Sequence, residues 1–106
     1  MIYELRIYHM HPGKMDNICR RFADHTLKIF TKHGVKVTRF WTDAQGLEKL
    51  YYLCEFESIE AKESAWKSFR EDPEWNEVQS KSEETGPIVE KVDSYVMEDA
   101  SFFAGS

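Results

Sequence analysis

The fold of this chain is decided by the stretch Lys49-Leu50-Tyr51-Tyr52-Leu53-Cys54-Glu55-Phe56. Apolar or aromatic side chains occupy both sets of alternating positions, so both faces of the predicted strand are apolar. Such a strand is central in its sheet or covered on two faces. The sequence therefore predicts a sheet that needs something packed against each of its faces.

Three other segments have the pattern of β-strands. Residues 2–9 alternate apolar and polar side chains and are rich in aromatic and β-branched residues. Residues 35–42 and 88–97 follow turn signals at Gly34 and at Gly86-Pro87. We therefore predict four strands in all.

Three helices are predicted between these strands. Residues 14–33 carry an apolar side chain every three or four positions, and Gly34 suits the left-handed conformation that ends a helix. Ser58 is a good N-cap for a second helix, and Asp72-Pro73-Glu74-Trp75 has the cap and first turn of a short third one. This order predicts an α+β fold with a ferredoxin-like antiparallel sheet (strand-helix-strand-strand-helix-strand) and helices on one face.

Composition excludes several classes of function. The 106 residues suit one domain, which we place at residues 1–98, with a C-terminal tail at 99–106. A net charge of −5 repels nucleic acid, and no apolar run approaches the roughly 20 residues of a membrane span. Both cysteines, Cys19 and Cys54, lie in apolar patterns, which is typical of buried thiols in a reducing compartment. We therefore expect a cytoplasmic protein that binds no nucleic acid and does not span a membrane.

The face of the sheet without helices is predicted to bind a second copy of the chain. We place five residues on that face together with apolar neighbours: Glu4, Arg6, Tyr8, Arg39 and Glu55. This mixture is too apolar to stay in water and too charged for an ordinary core. Buried charges persist when they are paired, which two sheets packed face to face allow. The sequence therefore predicts a homodimer with these five residues as its candidate interface.

Five short motifs, taken in order, make the chain resemble the NIPSNAP family. They are Ile2-Tyr3-Glu4-Leu5-Arg6-Ile7-Tyr8, Pro12-Gly13-Lys14, Lys32-His33-Gly34, Phe40-Trp41-Thr42 with the later Gly46, and Asp72-Pro73-Glu74-Trp75. The resemblance covers most of the chain and implies a dimeric α/β barrel built from two ferredoxin-like chains. Similar barrels include cofactor-independent monooxygenases, haem-degrading enzymes and stress-response binding proteins, so the fold by itself does not choose an activity.

Six residues are candidates for a ligand-binding cleft between helices and sheet: Tyr3, His25, Trp41, Tyr52, Trp66 and Trp75. Clefts of this kind commonly hold small molecules, and these rings suit a small aromatic or apolar ligand. The alternative is that the rings pack the core of a small domain. His25 is either an acid or base in the cleft or a boundary histidine that is hydrogen-bonded to backbone.

Other site chemistries have little support. His9 and His11 are two residues apart, but no third ligand has a fixed spacing to them and Pro12-Gly13 follows directly. We therefore interpret both histidines as turn residues and expect no metal. Nucleophile motifs and glycine-rich phosphate loops are absent from the sequence, and we expect no cofactor.

Two functions remain open at this point. The first is a homodimeric module of uncharacterised activity that binds a small molecule or a protein. The alternative is a cofactor-independent monooxygenase or haem-modifying enzyme that uses the same cleft. An acid or base at the bottom of the cleft would favour the enzyme, whereas a lining of rings and aliphatic side chains would favour binding.

Overall fold

A computed structural model describes residues 1–103 and contains one four-stranded antiparallel sheet. Its strands are β1 (Ile2–Met10), β2 (Lys36–Thr42), β3 (Lys49–Phe56) and β4 (Val89–Glu98). The strand order β2-β3-β1-β4 places the two most apolar strands in the middle. This is the ferredoxin-like α+β arrangement that the sequence predicts.

Helices cover one face of the sheet. They are α1 (Met15–Arg21), a π-helical segment (Phe22–Thr26), α2 (Leu27–Lys32), α3 (Ile59–Arg70) and α4 (Pro73–Ser82). The first three run on without a break and form one helix, called here the long helix. No helix in residues 1–103 is both long and apolar enough to cross a membrane.

The predicted helix caps are confirmed. The hydroxyl of Ser58 accepts a hydrogen bond from the backbone N–H of Ala61 at the start of α3. Oδ1 of Asp72 accepts one from the N–H of Glu74, and Pro73 occupies the first turn of α4. Each cap satisfies a backbone donor that has no partner inside its helix.

The core between helices and sheet is built largely from aromatic rings. Tyr52 of β3 is fully buried, and its ring centroid lies 5.4 Å from that of Phe22 on the long helix. Phe30 continues the cluster, at 5.4 Å from Trp66 and 4.9 Å from Phe69 on α3. Most of these pairs meet edge to face, the arrangement that aromatic quadrupoles favour. For Tyr52 and Trp66, the core-packing alternative therefore describes where the rings lie.

One face assignment made from the sequence is wrong. Glu4, Arg6 and Tyr8 pair in register with Cys54, Tyr52 and Leu50, all of which are buried under the helices. Directly paired residues of antiparallel strands project from the same face. The three β1 residues therefore lie inside the subunit and not on its uncovered face.

A β-bulge interrupts the pairing of β2 with β3. The register of β2 against β3 shifts between Val37 and Arg39, so Val37 pairs with Cys54 and Arg39 with Leu53. The extra residue in β2 breaks the strict alternation of side chains between the two faces of the sheet. As a result Val37 packs against the core, whereas Arg39 lies on the uncovered face.

The uncovered face is strongly apolar. Leu5 of β1 lies between Leu53 of β3 and Tyr95 of β4 in the register of the sheet. Tyr95 is 53% exposed in the single chain, and Trp41 and Met97 are 39% and 40% exposed. Exposed apolar surface of this extent is typical of an interaction site.

The two cysteines differ in environment. Cys54 is buried, and this burial raises the pKa of its thiol to about 12. Cys19 is exposed, contrary to prediction, because its neighbour Ile18 takes the inward position on the long helix. At Cys54, burial outweighs the charge of Arg6, so this thiol is not activated.

Candidate functional site

A buried carboxylate organises the covered side of β1. Glu4 is 2% exposed, and its Oε1 accepts a hydrogen bond of 2.7 Å from the indole N–H of Trp66. Its Oε2 accepts from Arg6 at 3.0 Å and from the hydroxyl of Ser94 at 2.5 Å. Burial alone would raise the pKa of Glu4, but the hydrogen bonds from Ser94 and Trp66 and the charge of Arg6 together lower it. Glu4 is therefore a fully bonded anion and a poor general base.

Arg6 joins this carboxylate to a pair of tyrosines. Its Nε donates to the hydroxyl of Tyr52 at 2.8 Å, and that hydroxyl is 2.8 Å from the hydroxyl of Tyr8. The guanidinium also lies over the ring of Trp66, 4.5 Å from its centroid. Burial raises the pKa of Tyr52 well above its usual value, so Tyr52 keeps its hydroxyl proton at neutral pH.

A cleft of about 480 Å³ opens above this network, between helices α3 and α4 and the edge strand β4. We call it the α3/α4 cleft. Its floor carries Glu4, Arg6 and Tyr8, and Val89 and Val92 provide an apolar wall. Its lining has five basic residues, Arg6, Arg21, Lys62, Arg70 and Lys91, and four acidic ones, Glu4, Glu63, Glu83 and Glu90. The lining is thus slightly basic, in a chain whose net charge is −5.

Arg21 is the residue in this cleft that the sequence analysis missed. Its side chain is 7% exposed and lies over the ring of Trp75, 5.1 Å from the centroid. A visible signal existed, because a basic residue here directly precedes Phe22 on the apolar stripe of the long helix. Arginine stacks readily on aromatic faces, so the charge sits beside the core without disrupting it.

The six residues predicted to share one cleft do not come together. Tyr52, Trp66 and Trp75 lie on the covered side, and the last two line the α3/α4 cleft. Tyr3 and Trp41 lie on the uncovered face, since they pair with Glu55 and Tyr51.

His25 is exposed in a separate groove of about 490 Å³ between the long helix and α4. The π-helical segment carries it away from the sheet, and Thr26 takes the inward position. It therefore cannot act on a molecule bound above Glu4 and Arg6.

Of the two histidines near the end of β1, His9 differs from prediction. His9 belongs to β1 and lies 2.8 Å from Asp93 of β4, whereas His11 follows the strand. Within residues 1–103, no group of three or more potential ligands is arranged to hold a metal ion.

A second polar cluster joins the C-terminal end of the long helix to α4. Nε2 of His33 donates to Oδ2 of Asp72 at 2.6 Å, and Lys32 contacts the same oxygen at 2.8 Å. Nδ1 of His33 is hydrogen-bonded to the hydroxyl of Ser68. Serine, histidine and aspartate in this order resemble a nucleophilic triad. Ser68, however, lies in the last turn of α3, where the free backbone groups are carbonyls, and an oxyanion needs N–H donors. Asp72 also caps α4, so the cluster is best understood as a structural clamp.

This clamp predicts a loss of stability in acid. Hydrogen bonds from Lys32 and His33 hold the pKa of Asp72 well below its usual range. An acid with a lowered folded-state pKa stabilises the protein above its unfolded pKa, about 3.9, and that contribution is lost as the pH falls below it. We expect Asp72→Asn, which keeps the cap but loses the charge, to lower the melting temperature at pH 7, and Asp72→Ala to lower it further.

Thermal unfolding followed by circular dichroism from pH 7 to pH 2 measures this effect. The gap in melting temperature between the wild type and Asp72→Asn should narrow as the pH falls, because Asp72 takes up a proton in the unfolded chain at a higher pH than in the folded one. A gap that stays constant over this range would show that the charge of Asp72 contributes nothing to stability.

The strand order and the helices on one face define a ferredoxin-like α+β domain. The family model for NIPSNAP matches residues 3–104. The chain therefore belongs to the NIPSNAP family. The search of curated proteins found no match to this sequence.

Solved structures agree with this assignment. An uncharacterized NIPSNAP domain protein from Burkholderia xenovorans is similar with a TM-score of 0.83 at 21% identity, over 97% of this chain and 98% of that one. A NIPSNAP family protein from Agrobacterium tumefaciens gives a TM-score of 0.83 at 17% identity, over 99% and 98% of the two chains. A protein described as an antibiotic biosynthesis monooxygenase gives 0.62 at 8% identity, over 94% and 99%. At these identities the likeness is one of fold.

Proposed function

We propose that this NIPSNAP protein is a homodimeric module that binds a small molecule in the α3/α4 cleft of each subunit. The observation that carries the proposal is a concave site of about 480 Å³, within the range of small-molecule sites, with convergent polar groups on its floor. Both carboxylate oxygens of Glu4 already accept hydrogen bonds within the subunit. Glu4 therefore fixes the shape of the floor and is not available to take a proton from a ligand. Binding is therefore favoured over acid–base catalysis.

The partner in the dimer is a second copy packed on the uncovered face. This face combines apolar side chains with charges of both signs, including Arg39, Glu55 and Asp93. A two-fold axis brings the same patch of both subunits together, so a surface that carries both signs can pair its own charges. Of the residues predicted for this interface, Arg39 and Glu55 stay in it, and Tyr3 and Trp41 join them.

Native mass spectrometry of freshly purified protein tests the dimer and the bound small molecule in one spectrum. We expect a species of twice the 12.5 kDa chain mass, with a small-molecule adduct that is lost in a variant whose cleft is filled, Val92→Trp. The matched control is Val96→Trp, four residues further along β4 on the same face and outside the lining of the cleft. An adduct retained by Val92→Trp would place the ligand elsewhere.

A second candidate function rests on the tyrosine pair. Tyr8 lines the cleft and its hydroxyl is hydrogen-bonded to that of Tyr52, which Arg6 also contacts. Because Arg6 donates to Tyr52, the chain can end with Tyr8 donating to the oxygen of an electron-rich substrate that binds already deprotonated, and such an anion is what reacts with O₂ in a cofactor-independent monooxygenase. Oxygen uptake with electron-rich phenols, abolished in Tyr8→Phe, would support this candidate, and uptake unchanged in that variant would exclude Tyr8 from the chemistry.

A further inference from the structure

Arg21 is a buried cation without a direct ion pair, although Glu83 acts on it from a longer distance. No carboxylate oxygen lies within 4.0 Å of it in residues 1–103, and its one side-chain hydrogen bond goes from Nη1 to the neutral hydroxyl of Ser82 at 3.1 Å. Its Nε is buried and has no hydrogen-bond partner among the described residues. A guanidinium carries five N–H donors, and burying it unpaired is costly. The free protein thus holds an incompletely satisfied positive charge where the α3/α4 cleft meets the groove that contains His25, because Arg21 lines both.

The backbone around Arg21 is also irregular. The π-helical segment begins at the next residue, Phe22, and the hydroxyl of Thr26 donates to the carbonyl oxygen of Arg21 at 3.1 Å. Single π-helical turns within α-helices occur frequently at functional sites. This turn lets Arg21 and Phe22 both lie inward, one toward the cleft and one toward the core.

The charge balance of the cleft points to a particular kind of ligand. Its lining has one more basic than acidic residue, so one negative charge neutralises it. The acidic residues Glu63, Glu83 and Glu90 repel a multiply charged ion. The rings of Trp66 and Trp75 are largely covered by Arg6, Arg21 and Phe69, so they offer little free face for stacking.

We propose that the α3/α4 cleft binds a small organic monocarboxylate, whose carboxylate is held by the guanidinium of Arg21 and whose apolar part lies against Val89 and Val92. This inference rests on the proposed function, because it names the ligand class of the same cleft. A guanidinium fork and a carboxylate form two parallel, charge-assisted hydrogen bonds. The ligand therefore supplies the directly paired carboxylate that Glu83, at longer range, does not provide.

The test is a titration of the ¹⁵N-labelled dimer with sodium benzoate, with benzamide as the uncharged probe of nearly the same shape. We expect benzoate at millimolar concentration to shift the Nε–H signal of Arg21 and the indole signals of Trp66 and Trp75 in a saturable way. Benzamide and inorganic phosphate should bind more weakly. Arg21→Gln should weaken benzoate binding by roughly tenfold or more, because a charged hydrogen-bonded pair is lost.

Two controls separate a ligand-binding role from a structural one. Arg20→Gln removes the neighbouring exposed arginine and should leave benzoate affinity unchanged. Arg21→Gln should bind poorly without lowering the melting temperature of the free protein, since it removes an unpaired buried charge. A residue that only holds the fold would instead lower the melting temperature when it is replaced.

The outcomes distinguish the inference from the proposed function. If benzamide binds in the cleft as tightly as benzoate, or phosphate binds more tightly, the monocarboxylate inference is overturned while a small-molecule cleft stands. If no probe shifts the signals of the cleft and native mass spectrometry finds no adduct, both are overturned.

Discussion

Replacing Glu4 by alanine is expected to lower the free energy of unfolding by roughly 3–5 kcal/mol, because it removes one partner of a buried ion pair. The change leaves Arg6 buried without its acidic partner and the indole N–H of Trp66 without an acceptor. Each of these two groups is then buried without that partner, which is costly. Since small domains have about 5–15 kcal/mol of stability in all, the variant will be close to unfolding.

Urea denaturation at pH 7 measures this effect, with Glu90→Ala as the control. Glu90 is exposed at the rim of the same cleft, so its removal should change stability by less than about 0.5 kcal/mol. If Glu4→Ala does not fold, the double variant Glu4→Met with Arg6→Met keeps the prediction testable. It should recover the part of the lost stability that comes from the unpaired charge of Arg6, because an apolar pair replaces the ion pair, although the indole N–H of Trp66 still lacks its acceptor. A double variant as unstable as Glu4→Ala would contradict this account.

The second large effect concerns the assembly. Tyr95→Lys is expected to convert a dimer into a monomer, since it places a charge in the middle of the uncovered face, opposite Leu5 in the register. Light scattering coupled to size-exclusion chromatography should show the molecular mass fall by half, to the 12.5 kDa of one chain. Tyr95 is half exposed in the single chain, so the substitution does not threaten the fold of the subunit.

Val96→Lys is the matched control for the assembly. Val96 is the next residue of β4, is 47% exposed, and pairs in register with Glu4, so it faces the other side of the sheet. It should remain dimeric. The melting temperature of the wild type should also rise with protein concentration, as it does when folding is linked to association. A wild type that is monomeric at micromolar concentration would overturn the dimer. Equal effects of Tyr95→Lys and Val96→Lys on the molecular mass would show that the interface lies elsewhere.

The chemistry of the α3/α4 cleft changes the interpretation of the aromatic residues. The sequence suggested rings around an apolar ligand, whereas Trp66 and Trp75 are covered by guanidinium groups and by neighbouring rings. The surface left to a ligand is that of charged side chains and two valines. Residue types alone do not reveal this difference, because an aromatic side chain packs in a core and lines a cleft with the same sequence pattern.

Local features of the chain could be read from the sequence because they depend on neighbouring residues. Ser58 and Asp72 cap the helices that they were predicted to cap, since a cap needs only the next few backbone N–H groups. Gly34 adopts a positive φ of 79° where the long helix ends. The doubly apolar β3 lies in the interior of the sheet for the same kind of reason.

Tertiary structure alone decided which residues meet. Alternation sorts residues 2–9 into two sets, but when both faces of a sheet are covered it does not say which set faces the helices. Glu4 lies on the inner face because Trp66, Arg6 and Ser94 together donate hydrogen bonds to its carboxylate. Two of these donors, Trp66 and Ser94, are far from Glu4 along the chain. Arg21 lies beside the cleft for a similar reason, since only the packing of α4 against the long helix brings Trp75 and Ser82 to it. The family and the fold thus follow from the sequence, whereas the electrostatics of the cleft arise from contacts between residues far apart along it.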